Sequence, residues 1–332
     1  MAPIVTDLSA WSDDNEHSKP FSTYRNYVEA LTRIAADTYG PRFVRNNIDA
    51  ALTGLAAGRG GAARALDPTT TQEVRRSLER SWGLLRAAWM PGEFDDFVPE
   101  FNAMIPVAAY YAVFHGLHAA IPTVLGHPGP ETHRGVLNDA SALVGRGLLP
   151  WPWSAMCSGL PDEGEEIYSG FPATPSASSN LANLEAVALP DRIAQLLRTT
   201  RGNELDRRFD DERKRGKRPG RSRRNLTSQH KRDVATRMPG TTVFDFLWRI
   251  RKKANYEGSD AFVLGALHSE DASRFGGALA ELADLTVFSL EALIKSRIGE
   301  GLVLGWIDDY LRRSPSAAFL REHQSALTSS PF

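Results

Sequence analysis

Apolar side chains recur at three- and four-residue intervals along most of the chain, and no stretch alternates with period two, so the pattern predicts an all-α protein. Between residues 21 and 36, Tyr24, Tyr27/Val28, Leu31 and Ile34/Ala35 fall on one helical face, and Gly40–Pro41 ends that helix. A second helix runs from about 42 to 55 and breaks at Gly58–Arg59–Gly60–Gly61. Leu66–Asp67–Pro68–Thr69 opens a third over 71–90, with Val74, Leu78, Trp82, Leu85 and Trp89 on its face and Pro91–Gly92 as its stop. The fourth ends at Ile121–Pro122. Asp96 or Asn102 caps its start, and Pro106 lies in a first turn or at a kink. A fifth covers about 131–144.

From 146 to 240 the periodicity weakens. Trp151–Pro152–Trp153 and the Pro-, Gly- and Ser-rich run 161–179 read as irregular chain, 183–198 as helical in part, and 214–224 as mobile. Order returns with Thr241/Thr242 capping a helix over 243–256, then a connector over 258–266. Ser269 caps a long helix in which Phe275, Leu279, Leu282, Leu285, Phe288 and Ala292 repeat every three or four residues, ending at Gly299 and Gly301. A short helix through Trp306 and Leu311 precedes a polar end. The organisation expected is an N-terminal helical region (1–65), a bundle over 70–298 interrupted by a long irregular basic insertion (146–240), and a C-terminal helix and tail (299–332). Helices 71–90, 102–121, 243–256 and 269–298 should form one antiparallel bundle. Each has an apolar stripe to cover, and Ala108, Ala112 and Gly116 permit close approach.

Composition changes this picture in three places. The single cysteine, Cys157, excludes a disulfide within the chain and favours a cytoplasmic location, as does a start without a basic and apolar leader. Residues 103–126 lack Asp, Glu, Lys and Arg and are long enough to span a bilayer. Two prolines, two tyrosines and two histidines within them favour a buried core helix, so no membrane association is expected. Net charge is −1, yet residues 201–253 hold 18 Lys or Arg against 7 Asp or Glu, which is +11 and leaves −12 elsewhere. Such a block suits a polyanion.

Three segments carry the candidate chemistry: Tyr110–Tyr111–Ala112–Val113–Phe114–His115–Gly116–Leu117–His118, then Thr132–His133–Arg134–Gly135, then Arg251–Lys252–Lys253–Ala254–Asn255–Tyr256. Together, in this order, they resemble the HEPN family of small antiparallel helical bundles, common in prokaryotic toxin–antitoxin and defence systems. The likeness covers about 70–145 and 241–297. It implies a homodimer associated with RNA. HEPN nucleases use an Arg, four to six intervening residues, then a His, near the dimer seam, acting on the ribose 2′-hydroxyl. That chemistry needs a proton acceptor beside an oxyanion-stabilising cation. Neither Arg249 nor Arg251 has a His at the required distance, and Asn255 cannot accept a proton at neutral pH. The segment instead resembles the family's Arg–x–x–Ala–x–Tyr variant, so the pattern is that of a degenerate ribonuclease. If the chain is an enzyme at all, the resemblance implies a metal-independent endoribonuclease, with Arg251, Asn255, Tyr256, His133 and His115 as its site.

Plainer readings stand beside these. His115 reads equally as a core histidine, and Thr132–His133 as a helix cap with packing. Arg251 could pair with a carboxylate such as Glu281 or Asp284. Trp248, Arg251 and Asn255 share a helical stripe that could grip a phosphate and stack a base. Arg213, Lys214, Arg215, Lys217, Arg218, Arg221, Arg223 and Arg224 could hold RNA through its phosphates or form a solvated loop. No metal-ligand spacing and no phosphate-binding glycine loop occurs, so no cofactor is implied. The competing class is a non-enzymatic helical protein whose insertion and acidic body bind a protein partner.

Overall fold

The computed structural model describes residues 17–58, 65–93, 101–161, 167–168, 189–215, 226–257, 259–266 and 269–328. Among them the chain is all-α. Twelve helices carry the fold: α1 (Ser18–Tyr39), α2 (Val44–Gly58), α3 (Pro68–Trp89), α4 (Phe101–Val124), α5 (His133–Gly145), α6 (Leu189–Arg215), α7 (Ser228–Arg237), α8 (Val243–Lys252), α9 (Asp260–Val263), α10 (Ser269–Ile298), α11 (Glu300–Arg313) and α12 (Ala318–Thr328). Three two-residue strands, β1 (Met156–Cys157), β2 (Ile167–Tyr168) and β3 (Thr241–Thr242), pair antiparallel in the order β2-β1-β3.

Helices α3, α4 and α10 make the centre. Asp67 caps α3 by accepting from the Thr70 amide at 3.0 Å, Pro68 supplies the first turn, and Val74, Leu78, Trp82 and Leu85 are fully buried. Ser81 Oγ donates to the Ala112 carbonyl at 2.7 Å, and Ser77 Oγ lies 3.3 Å from His118 Nδ1. Residues rising along α3 thus meet residues falling along α4, which makes the pair antiparallel. Gly116 faces α10 so closely that a Cβ there would stand 3.0 Å from Leu290 Cδ1. Helix α4 is apolar on every side because it is wrapped on several, by α3, α5, α8 and α10. It is the one helix among the described residues long and apolar enough to cross a bilayer, and 67% of its most apolar window is buried inside the bundle.

The segment 146–240 is not irregular throughout. Leu148, Leu149, Trp153, Ala155 and Cys157 enter the main core, and Trp153 Nε1 donates to Thr286 Oγ1 on α10 at 2.8 Å. Helix α6 packs Ile193, Leu196 and Leu197 into the same core. Its second half forms a small satellite core, Leu205 and Phe209 against Val234 and Ala235 of α7. Arg201, fully buried, binds this region together. Its Nε donates to the Gly159 carbonyl (2.7 Å), Nη1 to the Pro239 carbonyl (2.9 Å) and Thr241 Oγ1 (3.3 Å), and Nη2 to the Ala235 carbonyl (2.9 Å). The polar end also folds: α12 buries Leu320, His323, Ala326 and Leu327. Asn102, expected as a cap, lies inside α4 and is buried, whereas Asp96 falls outside the described residues.

Candidate functional site

Three elements meet at one seam: the middle of α4, the start of α5 and the end of α8. Helix α8 begins at Thr242, whose amide and hydroxyl both donate to Asp245 Oδ2 at 2.8 and 2.9 Å. After Lys252 the chain does not continue as an α-helix but winds through a π-helical turn, Lys253–Glu257. In an α-helix, residues five apart point away from each other. The wider turn brings Tyr256 back over Arg251, with the guanidinium 5.1 Å from the ring centroid and Nη2 3.5 Å from the hydroxyl. Across the seam Arg251 Nη2 donates to Tyr111 OH at 2.8 Å, and its guanidinium lies 5.2 Å from that ring. Arg251 is 8% exposed, and Tyr256 above it is 73% exposed.

Thr132 caps α5 by accepting from the Gly135 amide at 3.1 Å, which sets His133 at the first helical position. Its ring packs on Phe114, with centroids 4.8 Å apart, and sits 5.6 Å from Tyr111, so Tyr111 is flanked by His133 and Arg251. Burial pushes the Tyr110 hydroxyl well above its ordinary pKa and keeps it protonated. It lies within hydrogen-bond distance of His133 Nδ1, at 3.0 Å. Burial, and then the Arg251 charge, lowers the His133 pKa below its ordinary value, so the ring is neutral at neutral pH. His115 is half-buried against Phe114 at 5.4 Å, and burial, with Arg80, His118 and His133, pushes its pKa down to about 4. The ring is therefore neutral at neutral pH.

The structure therefore brings together Arg251, Tyr256 and His133, with His115 one shell deeper, but it separates Asn255. That residue is exposed and makes no hydrogen bond to the seam. Nor do Trp248, Arg251 and Asn255 form one working stripe: the indole of Trp248 lies under Arg134 (5.0 Å) and Lys252 (4.3 Å) instead. The expected pairing of Arg251 with Glu281 or Asp284 does not occur. Asp284 binds Arg45 and His323, and the partners of Arg251 are phenols. In the basic block, Arg213 pairs with Asp210 at 2.7 Å, Lys214 is exposed and Arg215 ends α6, whereas Lys217, Arg218, Arg221, Arg223 and Arg224 lie outside the described residues.

Sequence reasoning missed a second cluster on the far side of Trp248. Residues Thr200, Asn203, Glu204 and Arg207 on α6 face Asp245, Trp248, Arg249 and Lys252 on α8 across a cleft. Each set repeats at helical spacing, and that was the available signal. Among the described residues no group of three or more metal-ligating side chains occurs. No protein-family model, curated protein or solved structure matches the chain.

Proposed function

We propose that this chain is an RNA-associated helical protein of the HEPN type, degenerate as a ribonuclease, that holds single-stranded RNA at the seam of α4, α5 and α8. The observation that carries the reading is the company Arg251 keeps. It is a nearly buried cation with no carboxylate partner among the described residues, held by Tyr111 and Tyr256. Phenols orient a guanidinium without neutralising it, so its charge remains for a phosphate. The exposed face of Tyr256 offers a base a stacking surface beside that phosphate. Cleavage needs a proton acceptor within reach of the ribose 2′-hydroxyl. Asn255 is neither basic nor turned into the seam, and burial and the Arg251 charge lower the basicity of the seam imidazole, His133. Prokaryotic defence or toxin–antitoxin work, in the cytoplasm and as a homodimer, is the setting the HEPN likeness implies.

Fluorescence anisotropy with a labelled single-stranded oligoribonucleotide tests this. The native chain should bind, with log affinity falling against log salt by about 0.7 per phosphate contact. Arg251→Ala should weaken binding about tenfold or more and reduce that slope by one contact. Incubation with the same RNA in EDTA should yield no cleavage above background. Binding indifferent to Arg251→Ala, or metal-independent cleavage that survives it, would place the site elsewhere.

A further inference from the structure

The cleft between α6 and α8 holds a second cation without an acidic partner among the described residues. Four hydrogen bonds from Arg249 reach three acceptor atoms, none of them a carboxylate. Nη1 donates to Thr199 Oγ1 (3.1 Å) and Thr200 Oγ1 (3.2 Å). Asn203, with its amide turned so that oxygen meets donor, accepts from Nη2 (3.1 Å) and Nε (3.3 Å). The guanidinium also lies 5.5 Å from the Tyr24 ring centroid. Both acids in the cleft are already engaged. Glu204 takes Arg134, with Arg207 and Arg208 each 3.6 Å away, and Asp245 accepts from Thr242 at the start of α8. Arg201, bonded to Thr241 of the lining, is otherwise bound to carbonyls among the described residues. Positive charge therefore exceeds negative on the lining.

We propose that this cleft is a phosphate-binding site in which Arg249 pairs with the anion, Asn203 Nδ2 and the Thr200 hydroxyl donate to it, and the edge of Trp248 bounds whatever the phosphate carries. The geometry fits because Asn203 offers its oxygen to Arg249, which leaves Nδ2 as a donor, and because a guanidinium fork held on three side chains is already oriented. The ligand is a phosphate group, borne either by a small phosphomonoester or by an RNA backbone. This site is separate from Arg251 and does not depend on the reading of that seam.

Isothermal titration of the full chain with inorganic phosphate and with AMP, and anisotropy with a single-stranded oligoribonucleotide, test the proposal. Phosphate or AMP should bind to the native chain. Arg249→Ala should weaken that binding about tenfold or more, and Arg249→Lys should recover only part. Asn203→Ala, on the opposite wall, should weaken it with the fold intact by circular dichroism. Binding of AMP marks a small phosphomonoester. Binding of RNA alone, lost in Arg249→Ala and Asn203→Ala, marks the polymer backbone. The proposal is overturned if phosphate, AMP and RNA all fail to bind, or if their binding is the same in Arg249→Ala and Asn203→Ala as in the native chain.

Discussion

At the scale of single residues, one side of the seam depends on the hydrogen bond between Tyr110 and His133. Tyr110 is 2% exposed, and its hydroxyl reaches His133. Removing the imidazole by His133→Ala strands a buried hydroxyl, at a cost of about 1–3 kcal/mol. Tyr110→Phe removes the hydroxyl and leaves His133, half exposed, to water, so it should cost no more than about 1 kcal/mol. Urea unfolding of the two variants should rank them in that order, and the reverse ranking would show that the hydrogen bond is not what holds His133. Much of this seam was legible. The adjacent tyrosines, the capped histidine and the Arg251 segment could each be picked out, and the structure joins Tyr110, Tyr111, His133, Arg251 and Tyr256. What could not be read was which side chains of the last segment face inward. A straight α-helix places Asn255 beside Arg251 and turns Tyr256 away, and the π turn reverses that choice. Nothing in the local residue types announces an extra residue in a turn.

At the scale of elements, the misread pieces share a cause: they are anchored by buried polar groups rather than apolar stripes. Helix α6 beyond Thr200 has only Leu205 and Phe209 on its inner face, and α7 only Val234 and Ala235. Arg201 supplies the rest of the anchorage through three carbonyls. Arg201→Met keeps the volume but orphans those acceptors. It should destabilise this region by several kcal/mol, at about 1–3 kcal/mol for each buried group left without a partner. Hydrogen-exchange mass spectrometry should show faster exchange in α7 and β3 while α3 and α4 keep their protection. Equal loss everywhere would mean that α7 is not a local cooperative unit. The long helices α3 and α10, by contrast, were plain from spacing alone, because side-chain burial there follows the 3.6-residue period, while α4 stood out by its lack of Asp, Glu, Lys and Arg.

At the scale of the molecule, one ionic network closes the fold. His323 of α12 is wholly buried, with Nε2 2.9 Å from Asp284 and Nδ1 2.9 Å from Glu291, both on α10. Trp82 Nε1 donates to Glu291 at 2.6 Å, and Arg45 binds Asp284. Nearby, Lys295 Nζ bridges Asp49 (2.7 Å) and the Leu327 carbonyl (3.0 Å). Burial alone lowers the pKa of His323, but the two carboxylates outweigh it and hold it at about 9. Burial raises that of Asp284, yet His323 and Arg45 keep it below its ordinary value. The signs follow. The His323 contribution is complete below its unfolded pKa of 6.5 and lost as pH rises through about 9. The Asp284 contribution is present above 3.8 and lost as pH falls below that. Melting temperature should decline from pH 7 to 9.5 in the native chain, and less so in His323→Gln. A native profile flat across that range would show that His323 is not charged in the fold. His323→Ala, which leaves two buried carboxylates facing each other, should cost about 3–5 kcal/mol. The period of apolar residues could not foretell this closure, since the residue at the centre of α12 is a histidine. The arrangement also has a temporal side. During synthesis on the ribosome, α10 leaves the exit tunnel before α12, with two acids destined for a dry interior and their imidazolium not yet made. Until residue 323 emerges, Arg45 is the ion-pair partner of Asp284 and Trp82 the hydrogen-bond partner of Glu291, so the charge balance between α3 and α10 is completed when α12 arrives.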